Sequence, residues 1–200
     1  MSWNFKKIEK IIKNDGVGVL PTDTLYGIVG SAFSKKSVER IYKLKKRNPK
    51  KPLIVLVGSI SEVGLFGAKI GREVEKEIKK LWPGKVSIIF DCPADKFYYL
   101  HRGENKLAFR LPKKKSLLKL IKKTGPLVAP SANPEGLEPA TSIREVREYF
   151  GDSVDFYVSG GRIKSLPSTI IALEGGRMVI KREGAVEIAG IANRPRPKAV

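Results

Sequence analysis

The stretch Lys45-Lys46-Arg47-Asn48-Pro49-Lys50-Lys51-Pro52, running directly into Leu53-Ile54-Val55-Leu56-Val57, decides how this chain is read. Five cations in seven positions lead into what reads as a buried strand. Pro49 and Pro52 rule out an uninterrupted helix. No acid is interleaved to make a solvated helical face. A basic loop anchored to a core strand presents charge to phosphates; the competing reading is an ordinary solvated loop, which is the expectation for Lys46 and Lys50.

At 200 residues, 42% apolar and 30% charged, the chain has the length and composition of one cored domain. No apolar run approaches the ~20 residues of a bilayer span, and the N-terminus lacks a signal-like apolar core, so a cytoplasmic location is expected. Cys92 is the single cysteine and His101 the single histidine. That excludes an internal disulfide and a Cys-based zinc site. A Ser/His/Asp triad would rest on His101 alone, which reads as a surface residue. The net charge of +19, from 39 Lys+Arg against 20 Asp+Glu, implies a phosphate-bearing partner.

Outward from the basic loop, apolar spacing predicts helices. Ser2 or Asn4 caps a first helix with Phe5, Ile8, Ile11 and Ile12 inward, ended by Asn14-Asp15 with Gly16 as a left-handed cap. Ser34 or Lys36-Ser37 starts a second, with Val38, Ile41, Tyr42 and Leu44 inward. Others are read over Arg72 to Leu81, over Lys114–Lys123, and over 142–150 behind a Ser142-Ile143-Arg144-Glu145 capping box. Strands are predicted at Val17–Leu20, 53–57, Val86–Phe90, Lys106–Leu111, Gly125–Pro130, Asp155–Val158, Thr169–Leu173 and Met178–Lys181. Residues 91–105 read as loop or hairpin. The first strand ends in Pro21-Thr22-Asp23-Thr24-Leu25-Tyr26-Gly27, read as a polar turn at a strand end where open α/β sheets hold ligands. The domain is taken as 1–188, with a basic, Pro-rich tail at 189–200.

Three polar clusters stand out: Thr22-Asp23-Thr24, Lys45 to Lys51, and Ser131 with Asn133. Together with Trp82-Pro83-Gly84, Ala108-Phe109-Arg110, Pro167-Ser168-Thr169 and Arg182-Glu183-Gly184-Ala185, they resemble the YrdC family of threonylcarbamoyl-adenylate synthases. The resemblance implies an α/β fold, a YrdC-like twisted, mostly parallel and mixed sheet with flanking helices around a basic cavity. It implies conversion of L-threonine, bicarbonate and ATP to threonylcarbamoyl-AMP and pyrophosphate, for modification of adenosine 37 of tRNA. By position, Lys45, Arg47 and Lys51 would hold the triphosphate, the first two as the catalytic cations. Ser131 and Asn133 would fix the nucleotide, flanked by Lys106 and Arg182. Thr24, Arg110, Ser168 and the Ala129 backbone would hold threonine. Mg2+ would travel with ATP, because the triphosphate charge must be offset. A tRNA or other RNA would meet the basic surface, and tRNA-modification partner proteins would take over the adenylate. Longer relatives carry a C-terminal domain over the site; here that role would fall to the tail or to partners. Three departures are noted: Asp23 where many relatives carry Glu, Leu56 where some carry His, and Pro139 for a small hydroxyl residue. Two other readings remain open: a non-catalytic module binding tRNA or duplex RNA, and a paralogue adenylating a different carbamoyl or acyl substrate.

Overall fold

The computed structural model describes residues 3–175 and 177–188, with the backbone of Ala192 and Asn193. The tail read at 189–200 lies outside the described residues except for those two, as does Ser2.

The helices form where the apolar spacing puts them. α1 is Phe5–Lys13, α2 Lys35–Leu44, α3 Arg72–Leu81, α4 Tyr98–His101, α5 Lys115–Thr124 and α6 Ile143–Phe150. Asn4 caps α1 by accepting from the Lys7 N–H, and Ser34 caps α2 by accepting from that of Ser37. Ser142 accepts from the Glu145 N–H, while the Glu145 carboxylate takes the N–H of Thr141, one residue earlier than a standard capping box. After α1 the left-handed residue is Asp15 (φ 62°), not Gly16. Gly16 is required for space instead: a Cβ there would stand 2.3 Å from Ile11 Cγ2.

The strands are β1 Gly18–Pro21, β2 Tyr26–Ser31, β3 Ile54–Leu56, β4 Val86–Asp91, β5 Lys106–Arg110, β6 Leu127–Val128, β7 Phe156–Tyr157, β8 Thr169–Glu174, β9 Arg177–Arg182 and β10 Ala192–Asn193. They lie in the order β10-β9-β8-β4-β5-β3-β6-β2-β1-β7. The sheet is mixed: β3 runs parallel to β5 and β4 to β8, while β1–β2, β2–β6, β3–β6, β4–β5 and β8–β9 are antiparallel. β2 was not expected. It is central and almost entirely buried, so no alternation betrays it, and two glycines dilute its strand character.

Side chains on alternate strand positions join two cores. Val19, Ile28, Val55 and Val128 join Val38 and Ile41 of α2, Ile78 of α3 and Val146 of α6. Leu20, Val29, Leu56 and Leu127 join Ile8 and Ile12 of α1 with Leu117, Leu120 and Ile121 of α5. The segment 91–105 is no plain loop: a 3-10 turn at Asp95–Phe97 leads into α4, and Leu100 and His101 both turn inward. His101, read as a surface residue, is 1% exposed; Nδ1 accepts from the Gly103 N–H, and Tyr98 packs edge-on. No helix among the described residues is long and apolar enough to cross a membrane.

Candidate active site

β1 and β2 pair in register from Gly18↔Val29 to Pro21↔Tyr26, leaving Thr22–Leu25 as the turn between them. Thr22 closes it: its Oγ donates to the Leu25 carbonyl and accepts the N–H groups of Thr24 and Leu25. Thr24 is thereby aimed across the sheet, where its Oγ accepts from Arg110 Nη1 at 2.8 Å. Gly27 lies under this turn, where a Cβ would press on Thr22 Cγ2 at 3.0 Å.

Arg110 ends β5, in register with Leu56, and is 4% exposed. Its Nη2 stands 3.2 Å from Asp23 Oδ1, and the Asp23 side chain is itself 8% exposed. Desolvation pulls the guanidinium below the ordinary arginine range, and the Asp23 charge opposes that shift. The other Asp23 oxygen accepts from the Lys113 N–H. Arg182, at the end of β9, donates to the Ser168 carbonyl at 2.7 Å, and Ser168 is buried against Ser87. The Arg182 side chain keeps open surface, yet the protein atoms around its guanidinium desolvate it, and Arg110 and Arg47 add repulsion. All three lower its pKa. Arg47, half-buried, donates to the carbonyls of Lys51 and Pro52.

These groups line one open hollow of about 820 Å³, counting its mouth. Of the residues expected at the site, Arg47, Ser131, Arg182, Thr24, Arg110, Ala129 and Ser168 face it. Its apolar wall includes Tyr26, Ile54 and Pro139. Lys45, Lys51, Asn133 and Lys106 are not on the lining.

Lys45 departs most from its expected role. Its side chain is buried (2% exposed), and Nζ donates to the backbone carbonyls of Ser131 (2.6 Å) and Asn133. Its own carbonyl accepts the Glu135 N–H at 2.7 Å. Lys45 therefore ties the end of α2 to the loop that carries Ser131 rather than extending into the hollow. Burial first, and then Arg47, bring its pKa down to about 8 against the pull of Glu135. The Asn133 amide donates to the carbonyls of Pro134 and Leu137, shaping the same loop.

Lys51 is exposed and ion-paired with Glu135 at 2.6 Å, and the other Glu135 oxygen takes the Asn48 N–H. These contacts hold Glu135 below the ordinary carboxylate range, the Lys51 hydrogen bond most of all. The basic loop thus has an acidic partner that its own sequence neighbourhood does not show. Lys106 stands at the far end of β5 from Arg110, 3.7 Å from Asp91, beside a second cavity shared with Lys69 and Leu173. Leu56 is buried in the α1–α5 core and does not touch the hollow.

Tyr26 went unread in the sequence. It is 1% exposed, and its hydroxyl donates to the Gly161 carbonyl and accepts the Gly160 N–H, fixing the 160–161 loop to β2. Its position inside an apparent turn hid it. Asp23 was visible as an acid, but nothing local indicated its partner. Among the described residues no group of three or more His, Cys, Asp or Glu is placed to hold a metal ion. The nearest acids, Asp23 and Glu135, are already engaged. The hollow can therefore neutralise anions and orient them by hydroxyls and guanidinium forks. It has no nucleophilic Cys or His on its lining.

A family model described as Telomere recombination, covering Sua5, YciO and YrdC, matches residues 10–184. A threonylcarbamoyl-AMP synthase of Pyrococcus abyssi is 28% identical over 191 residues, 94% of this chain and 56% of that protein. A putative threonylcarbamoyl-AMP synthase of Methanocaldococcus jannaschii is 31% identical over 193 residues, 92% of this chain and 87% of the relative. The crystal structure of P. abyssi Sua5 complexed with L-threonine superposes with a TM-score of 0.88 at 28% identity, over 96% of this chain and 59% of that one. The chain thus spans little more than half the length of the Pyrococcus protein.

Proposed function

This chain belongs to the Sua5, YciO and YrdC family, and from that premise we propose that it is a threonylcarbamoyl-AMP synthase acting in the cytoplasm, whose product serves tRNA modification at adenosine 37. The amine of threonine adds to CO2 with loss of a proton, or to bicarbonate with loss of water, to give a carbamate. A carbamate oxygen then attacks the α-phosphorus of ATP, and pyrophosphate leaves. No side chain needs to become covalently attached, so catalysis is positioning and charge neutralisation.

Arg47 and Arg182 neutralise the phosphates, and Ser131 orients the nucleotide. Arg110 pairs with the threonine carboxylate, while Thr24, Ser168 and the Ala129 backbone complete that pocket. Lys45 and Asn133 act through the loop they hold, and Lys51 stands at the rim. Lys106 is left out of this reading because it lies at the other end of its strand. Mg2+ arriving with the triphosphate would supply counter-charge; among the described residues the lining of the hollow carries no carboxylate, and no step here depends on the metal. The adenylate passes to partner proteins of the tRNA-modification apparatus.

The observation that carries the reading is the convergence of three guanidiniums and the Thr24 hydroxyl on one hollow with neither Cys nor His on its lining. The test is pyrophosphate release from ATP. It should require both threonine and bicarbonate, and Arg47→Ala should lower it by about a hundredfold or more. Release that persists unchanged without threonine refutes the substrate. Pro139 in the wall favours a second reading, a paralogue adenylating a different carbamoyl or acyl substrate. Release restored by another amino acid in place of threonine would select it.

A further inference from the structure

The lysine excess is not spread evenly. α1 and α5 together carry eight lysines and one glutamate, whereas α3 carries four cations and three glutamates. On α3, Lys76, Lys79 and Lys80 each pair with a glutamate of the same helix. On α1 and α5 the single acid, Glu9, is shared by Lys13 at 2.9 Å and Lys123 at 3.4 Å. Among the described residues, Lys6, Lys10, Lys115 and Lys122 have no ion-pair partner, and all four are exposed.

The geometry orders these charges. Lys6, Lys10 and Lys13 recur at i, i+4 and i+7, and so do Lys115, Lys119 and Lys122. Each row covers about 10 Å of helix, and packed helices lie about 8–10 Å apart. The two helices share one apolar core, the Lys123–Glu9 pair bridges their outer edges, and the Lys119 ammonium lies 4.9 Å over the Phe5 ring. The rows are therefore neighbours on one surface. The start of α5 lies beside the wall of the hollow. Lys113, just before α5, donates its N–H to Asp23, the partner of Arg110. Lys114 is pulled below the ordinary lysine range by burial there, against the attraction of Asp23.

We propose that the face formed by α1 and α5 docks the phosphate backbone of RNA. A field of one sign, two rows wide and nearly free of carboxylates, suits a polyphosphate surface and offers nothing to a neutral or basic partner. Its lysines are point charges on flexible stems with no fork geometry, which favours backbone contact over base readout. The docking argument stands on charge alone. Only the identity of the RNA rests on the proposed function.

The experiment is fluorescence anisotropy of the full chain with a 20-base-pair RNA duplex across a salt series. If both rows engage, about six phosphates are contacted and log K falls against log salt with a slope of about −5. Lys6→Glu, Lys10→Glu and Lys122→Glu together should weaken binding more than tenfold at low salt and make the slope shallower by about 3. Replacing the same three by Gln should give a smaller loss of the same kind, and keeps the test open if the reversed variant fails to fold. Lys76→Glu, Lys79→Glu and Lys80→Glu on α3 change net charge equally and should leave most of the affinity. Equal losses from both triples would mean that net charge alone binds RNA, and would overturn the face. Binding to phosphatidylserine vesicles that the α1–α5 variant abolishes, with RNA affinity unchanged, would overturn the partner. Threonine-dependent pyrophosphate release should be the same in all these variants. An enzyme inactive throughout but still binding RNA through this face refutes the proposed function and leaves the docking surface standing.

Discussion

Arg110 is 4% exposed, with a hydroxyl and a carboxylate held against its guanidinium, whereas Lys122, on the next helix, stands in solvent with no ion-pair partner among the described residues. The same contrast separates the hollow from the α1–α5 face as a whole. Around the hollow each cation is fixed by named acceptors: Lys45 by two carbonyls, Arg47 by two more, Arg182 by Ser168. On the face, the lysines keep their rotamer freedom and act by summed field. A buried, fixed cation is costly to remove and geometrically exact in its effect. An exposed one is nearly dispensable singly and effective in number.

The comparison breaks most visibly at Arg110. Arg110→Ala should lower threonine-dependent pyrophosphate release by about 10²–10³. It should also cost roughly 3–5 kcal/mol of stability by leaving Asp23 buried without its counter-charge. Denaturant unfolding reads the second number, and an Arg110→Met, Asp23→Leu double variant should recover most of it without recovering activity. A single loss below about 1 kcal/mol would place this pair with the surface bridges.

Lys45 tests the same rule through pH. Its folded pKa of about 8 lies below the ordinary lysine value of 10.5, so between those values the unfolded chain binds more protons. Stability then rises with pH, beginning near pH 8, by about 1 kcal/mol up to pH 9. Above pH 9 Cys92 works in the opposite direction. Burial pushes its thiol up to about 12, so the unfolded chain ionises first and stability falls. Unfolding at pH 8 and 9 should show the rise in the parent chain and its absence in Lys45→Met. If Lys45 instead contacts phosphate, Lys45→Met should weaken ATP binding far more than adenosine binding. A similar loss for both marks a residue that acts through the Ser131–Asn133 loop.

The smallest effect belongs to the face. Glu9→Gln removes the acid shared by Lys13 and Lys123, and should leave denaturant stability almost unchanged, since exposed pairs contribute little. It should tighten RNA binding by a few-fold at low salt, an effect that fades as salt is raised. Weaker binding in this variant would mean that Glu9 orders the lysines rather than neutralising them.

Legibility followed locality. Every helix whose apolar residues recur at three and four was readable, down to the Asn4, Ser34 and Ser142 caps. α4, a single turn, was not, and His101 was misplaced with it, because four residues carry too little periodicity to show an inner face. β2 escaped for a related reason: a strand buried on both faces and interrupted by glycine has no alternation to detect. At the site, each of the three clusters contributes residues to the lining of the hollow, and seven of the eleven expected residues face it. The other four depend on distant partners. Glu135 reaches Lys51, the carbonyls of Ser131 and Asn133 take the Lys45 ammonium, and β5 is long enough to carry Lys106 away from Arg110.

The helices, the strand-end polar clusters, the excess of positive charge and the family they resemble could all be read from the chain before folding, because each is written in neighbouring residues or in simple sums. Which cations are buried and which stand in solvent emerged with folding, since burial and pairing depend on chain brought from far away in sequence. Two lysines of equal chemistry, Lys45 and Lys122, thus became a buried fastening with its pKa near 8 and an exposed charge open to solvent. The difference is desolvation and the supply of acceptors, and neither is a property of the residue alone.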